Sequence, residues 1–227
     1  MKKLSTLAVI AGLSLSVISQ AHAIAPFSAT YQFSYNGKTL GDATRVLTQQ
    51  GGNQWQYQFS ARIPMIGQAT ETSRFSMSNT GQIQSQSYRR QTKILVHSDT
   101  VSIDFLPQQN RINTNRKGQA RSLTWRAGAL DDLNAELQIR EDLKKGGLKS
   151  NYVISSYDSV DNRQFVREGS ERVQSATGQA YDTVRVRLRH SNPQKATIFW
   201  LAPALDYLPV KVTHQDDGNS YSLLLKR

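Results

Sequence analysis

After Pro26, apolar and polar residues alternate along much of the chain. Phe27, Ala29, Tyr31, Phe33 and Tyr35 share one face of the first segment, and Ser28, Thr30, Gln32 and Ser34 the other. A period of two over this length predicts a half-buried antiparallel strand. Asn36-Gly37 then marks a hairpin. A second strand is expected over Leu40–Thr48, with Gly41 as a bulge position. Trp55, Tyr57, Phe59 and Ala61 repeat the alternation after the turn at Gln50–Asn53. Further strands are predicted over Glu71–Ser78, Gln82–Thr92, Val96–Phe105, Arg111–Asn115, Ala120–Trp125, Asn151–Tyr157, Arg163–Arg167, Tyr181–Arg189 and Tyr221–Leu225.

Three stretches depart from this rhythm. Ile63-Pro64-Met65-Ile66-Gly67 is an apolar loop between two breakers, read either as tucked onto the core or as a rim over a pocket mouth. Leu130, Leu133, Leu137 and Leu143 recur at helical spacing, with Asp131 and Asp132 at the start and Lys144 and Lys145 before Gly146-Gly147. This predicts one helix to about Lys145, packed across a sheet face or plugging an open barrel. Its remaining face carries Asn134, Glu136, Glu141 and Asp142, too acidic for an anionic lipid surface. Finally, Ala196–Leu201 and Tyr207–Thr213 read as strands joined by a corner that closes the end of a sheet over a core or pocket. Pro209 inside the second apolar run points to an edge strand, a strand start or a bulge. The expected architecture is mainly β: a single curved antiparallel sheet or open barrel with one packed α-helix.

Composition adds compartment. Lys2 and Lys3, the apolar run Leu4–Ile18 and Ala21-His22-Ala23 have the form of a cleaved secretory signal peptide over 1–23, leaving 24–227 as one domain. The apolar run is short for a spanning helix, so a periplasmic protein without a transmembrane segment after processing is expected. The chain contains no cysteine, which excludes disulfides, thiolate metal sites, thiol catalysis and N-terminal lipoprotein acylation. The formal charge is +11; losing Lys2 and Lys3 leaves 26 basic against 17 acidic residues, or +9. Such an excess suits anionic partners. In an exported protein these are lipid, lipopolysaccharide or glycan rather than nucleic acid.

Candidate chemistry is sparse. His97, His190 and His214 lie in separate strand segments without metal-ligand spacing, and no nucleophile, phosphate-loop or metalloprotease motif is present. No cofactor, metal or catalytic residue is expected, and the protein is read as not an enzyme. Arg185, Arg187 and Arg189 point the same way along one strand. They form either an anion-binding row or a solvated outer face paired with acids. The candidate ligand-binding set is Phe33, Trp55, Tyr57, Met65, Trp200, Tyr207, Arg185, Arg187 and Arg189: an apolar concave face with a basic fringe.

Three segments carry a resemblance: Pro26–Ala43, Leu130–Leu143 and W-L-A-P-A-L-D-Y-L-P-V-K-V at Trp200–Val212. They resemble the uncharacterised exported bacterial family called domain of unknown function 3108, which implies no established activity. The corner is also similar to one in periplasmic lipoprotein-carrier proteins, whose unclosed half-barrels hold several helices where this chain predicts one. Together these readings imply a non-enzymatic periplasmic carrier for a lipophilic or amphipathic envelope component. The alternatives are an interaction or scaffold module in envelope assembly, bound to an envelope protein, and a hydrolase of envelope polymers.

Overall fold

The computed structural model describes residues 24–226, so the signal-peptide reading falls outside the described residues. The strands, in chain order, are β1 (Phe27–Tyr35), β2 (Lys38–Gly51), β3 (Gln54–Ile63), β4 (Gly67–Met77), β5 (Ile83–Ile94), β6 (His97–Leu106), β7 (Arg111–Arg116) and β8 (Gln119–Thr124). Helix α1 (Asp132–Lys144) follows, then β9 (Tyr152–Ser155), β10 (Val160–Arg163), β11 (Phe165–Gln174), β12 (Ala180–Leu188), β13 (Ala196–Ala202), β14 (Leu208–Asp216) and β15 (Asn219–Leu225).

Thirteen strands make one sheet in the order β11-β12-β13-β14-β15-β1-β2-β3-β4-β5-β6-β7-β8. The first and last strands therefore meet in its middle, with Tyr31 opposite Leu225. The sheet does not close. Its edges, β8 and β11, are separated by the segment carrying α1 and the β9–β10 hairpin. A twisted sheet this wide curls, and it does so around α1. The helix reaches Arg45 on β2, Ser73 on β4 and Asp206 in the β13–β14 corner.

Alternation decides which side chains enter the core. Ala29 and Tyr31, Trp55 and Tyr57, Phe75 and Met77, and Val101, Ile103 and Phe105 are all buried on the concave face. The turns lie at two ends. Residues 36–37, 64–66, 95–96, 117–118 and 217–218 form one, here the tip end. The turns at 51–53, 78–82 and 203–207 form the other, where the last turn of α1 emerges. The corner after β13 is a short 3-10 turn, Pro203–Leu205, followed by Asp206 and Tyr207 with φ of 53° and 58°. Pro209 sits beside a register shift opposite Trp200 and Leu201, so the bulge reading holds, and its carbonyl accepts the Tyr31 hydroxyl at 3.0 Å.

Two differences from the expected strands have a common cause. β11 is one ten-residue strand rather than a short segment ending at Arg167, and β10 occupies part of the expected connection. β11 is an edge strand with a register shift between Arg167 and Gly169, mostly exposed and therefore without an apolar alternation to read.

Gly41 is required by close approach. A Cβ there would lie 2.0 Å from the Arg62 carbonyl oxygen across the β2–β3 ladder. Gly41→Ala should therefore force the strands apart and lower the unfolding free energy by about 2 kcal/mol, measured by urea denaturation. An unchanged midpoint would show that the ladder yields freely.

Candidate ligand-binding basin

The interior has a filled half and an open half. In the filled half, eleven of the thirteen residues of α1 are buried, including Asn134, Glu136, Gln138, Arg140, Glu141 and Asp142. Of the two placements expected for the helix, it takes the plug, and its polar face meets the curled sheet. Each buried polar group there needs a partner. Arg45 pairs with Glu136 and donates to the Tyr57 hydroxyl at 2.9 Å, while that hydroxyl donates to Glu136 Oε1 at 2.8 Å. Burial opposes the Arg45 cation, but the Glu136 carboxylate and the Tyr57 and Tyr31 hydroxyls more than offset it and hold its pKa above the ordinary value. Burial pushes the Tyr57 hydroxyl up as well. Gln138 Oε1 accepts the Ile83 amide at 2.8 Å, and Asp142 Oδ2 accepts the Tyr152 hydroxyl at 2.9 Å.

Asp131 caps the helix, accepting the Asn134 amide at 3.0 Å. It also accepts the Ser73 hydroxyl, the Asn134 side-chain amide at 2.8 Å and the Ser85 hydroxyl at 3.3 Å. Burial nevertheless pushes its pKa up to about 6, with the Asp132 charge adding to the rise and the hydrogen bonds opposing it.

Beyond Asp132 the plug ends and the concave face opens to solvent. Tyr31 is buried but Phe33 and Tyr35 are only partly so; Tyr57 gives way to Phe59 and Ala61, Ser73 to Glu71 and Ala69, Val212 to His214, and Leu223 to Tyr221. The change runs in the same direction on every one of these strands, toward the tip end. Ala43, Ala61 and Ala69 stand side by side on β2, β3 and β4, which keeps one wall low. Phe33, Tyr35 and His214 cluster around Tyr221, with ring centroids 5.2–6.3 Å from it. Solvent reaches Asp132 although protein surrounds it. Burial raises its pKa, opposed by Arg90, Arg163, Lys195 and His214, which approach from β5, β10, the β12–β13 connection and β14. The result is a basin with an aromatic wall and a floor of mixed charge.

Two histidines line it. His190 Nε2 lies 2.9 Å and His214 Nδ1 2.8 Å from the Thr197 hydroxyl. Burial and then Lys195 hold both below the usual histidine range, His190 at about 4, so both rings are neutral at pH 7. His190 follows β12 and His214 lies on β14, and the intervening β13 brings Thr197 between them, which is why sequence spacing missed the pair. Glu71 accepts the Tyr88 hydroxyl at 2.7 Å, and burial holds its carboxyl above the usual range. Among the described residues, no group of three or more metal-ligating side chains forms.

The expected site residues are dispersed. Phe33 lines the basin. Tyr57 lies beneath it, committed to Glu136. Trp55 and Tyr207 border a different recess, a groove of about 1120 Å³ at the helix end that also contains Met77, Lys144 and Lys145. Trp200 does not face the interior. Its register partners are Arg185 and Lys211, so it lies on the outer face, with both cations over its ring and its indole donating to Glu171 at 2.6 Å. Arg185 and Arg187 both pair with Glu168, and Arg189 reaches Gln164. The row thus belongs to the outer face, with Arg185 and Arg187 acid-paired. Met65 is 99% exposed at a hairpin tip, so its loop neither tucks onto the core nor folds over the basin. Phe59, Ala61, Asp132 and the two histidines had no sequence signal as a group, because they come from strands, the helix start and a connection and share only a level in the fold.

The fold defines a barrel-like, unclosed β protein with a helical plug. A solved structure of similar fold is the β-barrel-like protein of domain of unknown function DUF1849 from Brucella abortus. It aligns at a TM-score of 0.56 and 10% identity over 89% of this chain and 96% of that one. The chain itself belongs to the family described as protein of unknown function (DUF3108), which matches residues 30–226. No curated protein matches it.

Two predictions concern the plug. Glu136→Leu strands a buried guanidinium and should cost about 3–5 kcal/mol in urea unfolding, whereas Arg45→Met with Glu136→Leu should cost clearly less than the sum of the single changes. Additive losses would mean that the two groups are not coupled. Asp131 binds its proton more tightly folded than unfolded, so its contribution is fully present below about pH 4 and is lost as pH rises through about 6. Asp131→Asn should abolish that decline, worth about 3 kcal/mol at most. The difference between variant and wild-type stability should therefore grow in the variant's favour from pH 4 to 7; a flat difference sinks the assignment.

Proposed function

We propose that this protein is a non-enzymatic, periplasmic binding or carrier protein for a lipophilic or amphipathic component of the cell envelope. The observation that supports the reading is the open half of the interior: a preformed concavity with aromatic side chains on its wall and charges on its floor. An acyl or other apolar portion lies against Phe33, Phe59 and Tyr221. A polar head meets Arg90, Lys195, Arg163 and Asp132.

A second reading, a scaffold in envelope assembly, is favoured by the edges. β8 and β11 each have one neighbour in the sheet, and most residues of both strands are exposed. Either edge could receive a partner strand.

Native mass spectrometry of the protein purified from its own periplasm, with organic extraction of the same sample, tests the first reading. A small molecule at near-stoichiometric occupancy is expected. Ala61→Trp, which places an indole in the open half without displacing core, should lower that occupancy about tenfold or more with little change in Tm. A clean apo mass and an empty extract would remove the tightly held cargo, and crosslinking to an envelope protein would then support the scaffold.

A further inference from the structure

Six large apolar residues are exposed among the described residues, and five of them form one patch: Met65 at 99%, Val96 at 91%, Leu95 at 64%, Ile94 at 50% and Ile66 at 42%. They occupy two neighbouring hairpin tips, β3–β4 and β5–β6, tied together by the Leu95 amide donating to the Ile66 carbonyl at 2.8 Å. Exposed apolar residues this concentrated mark an interaction site.

The backbone sharpens the point. Met65 and Leu95 hold φ of 61° and 53°, the left-handed region that favours glycine and asparagine. Three other turns at the same end use Asn36-Gly37, Lys117-Gly118 and Asp217-Gly218. At only these two tips is a long apolar side chain kept in that conformation and held out into water. The cost is local, and no core contact offsets it.

Charge selects the partner. Arg62 and Lys93 flank the patch, both exposed and neither in an ion pair among the described residues. Of the two acids on the adjoining β6, Asp99 is already held by Arg90 and Arg116 and Asp104 by Arg89. The chain as a whole carries +11. Narrow, convex apolar tips with a cationic collar match the interface of an anionic bilayer, where side chains enter the acyl boundary and cations meet headgroups. We propose that the β3–β4 and β5–β6 tips dock this protein on an anionic lipid surface. The basin opens toward the same end, but the docking does not rest on the cargo reading.

Cosedimentation of residues 24–227 with phosphatidylglycerol vesicles, against phosphatidylcholine vesicles, tests this. Binding should favour phosphatidylglycerol and weaken with salt. Met65→Asn with Leu95→Asn should reduce vesicle affinity about tenfold or more without lowering Tm, because asparagine tolerates the left-handed backbone. Arg62→Gln with Lys93→Gln should flatten the salt dependence. The proposal fails if phosphatidylglycerol vesicles bind no protein, or if the asparagine variant binds as well as wild type. It also fails if sedimentation velocity shows a dimer that the asparagine variant abolishes while vesicle binding persists unchanged, since the tips would then join two copies.

Discussion

Everything in this fold depends on burying a polar helix. Most helices expose one face, and their polar residues solvate themselves there. α1 is surrounded, so each buried carboxylate, amide and guanidinium needs a partner supplied by the sheet. Arg45 and Tyr57 meet Glu136, Ser73 and Ser85 meet Asp131, and Tyr152 meets Asp142. These contacts fix the rotation and depth of the helix more sharply than leucine packing does, because a turn of rotation in either direction would strand several of them. The concave face is correspondingly mixed, with arginine and serine among its aromatics.

Depth, once fixed, sets the open volume. A thirteen-residue helix is about 20 Å long. The ten residues of β3 span about 33 Å and the fourteen of β2 more. The plug also begins partway along the sheet, at Ser73 and Ser85, and leaves through the helix end. It cannot cover the whole concave face. The solvent-reached level at Phe33, Phe59, Glu71 and His214 follows from this mismatch of lengths, reinforced by the row Ala43, Ala61 and Ala69. An interior can be solid around its helix and hollow beyond it.

Most of the strand framework was legible because alternation is local: the faces of Phe27–Tyr35 and Trp55–Ala61 could be read from a few residues. The helix was legible from its leucines and its terminal charges. A plug was one of its two expected placements, but the partners of its polar face were not legible, since Glu136 meets groups 79 and 91 residues away and nothing near it in sequence announces them. Trp200 misled for the opposite reason. A tryptophan in an apolar run reads as core, yet the bulge at Val210 and the register with Arg185 and Lys211 place it outside, buried under cations. The arginine row had two readings, and Glu168, brought across by the β11–β12 pairing, decided between them. Of the candidate ligand-binding set, only Phe33 lines the basin.

The distribution of charge then separates the two ends and the two faces. Some cations on the outer face are engaged: Arg185 and Arg187 by Glu168, Arg89 by Asp104, Lys211 by the Trp200 ring. Inside, Arg45 is engaged by Glu136 of the plug. Cations in no ion pair remain on several elements among the described residues, and two of them, Arg62 and Lys93, stand beside the apolar tips. A net charge by itself says little about where a protein acts. Here two cations in no ion pair among the described residues flank the only large exposed apolar patch of those residues, at the end toward which the interior opens. Desolvation drives the pairing inside the sheet, and its absence at the tips leaves apolar and cationic side chains together in the solvent.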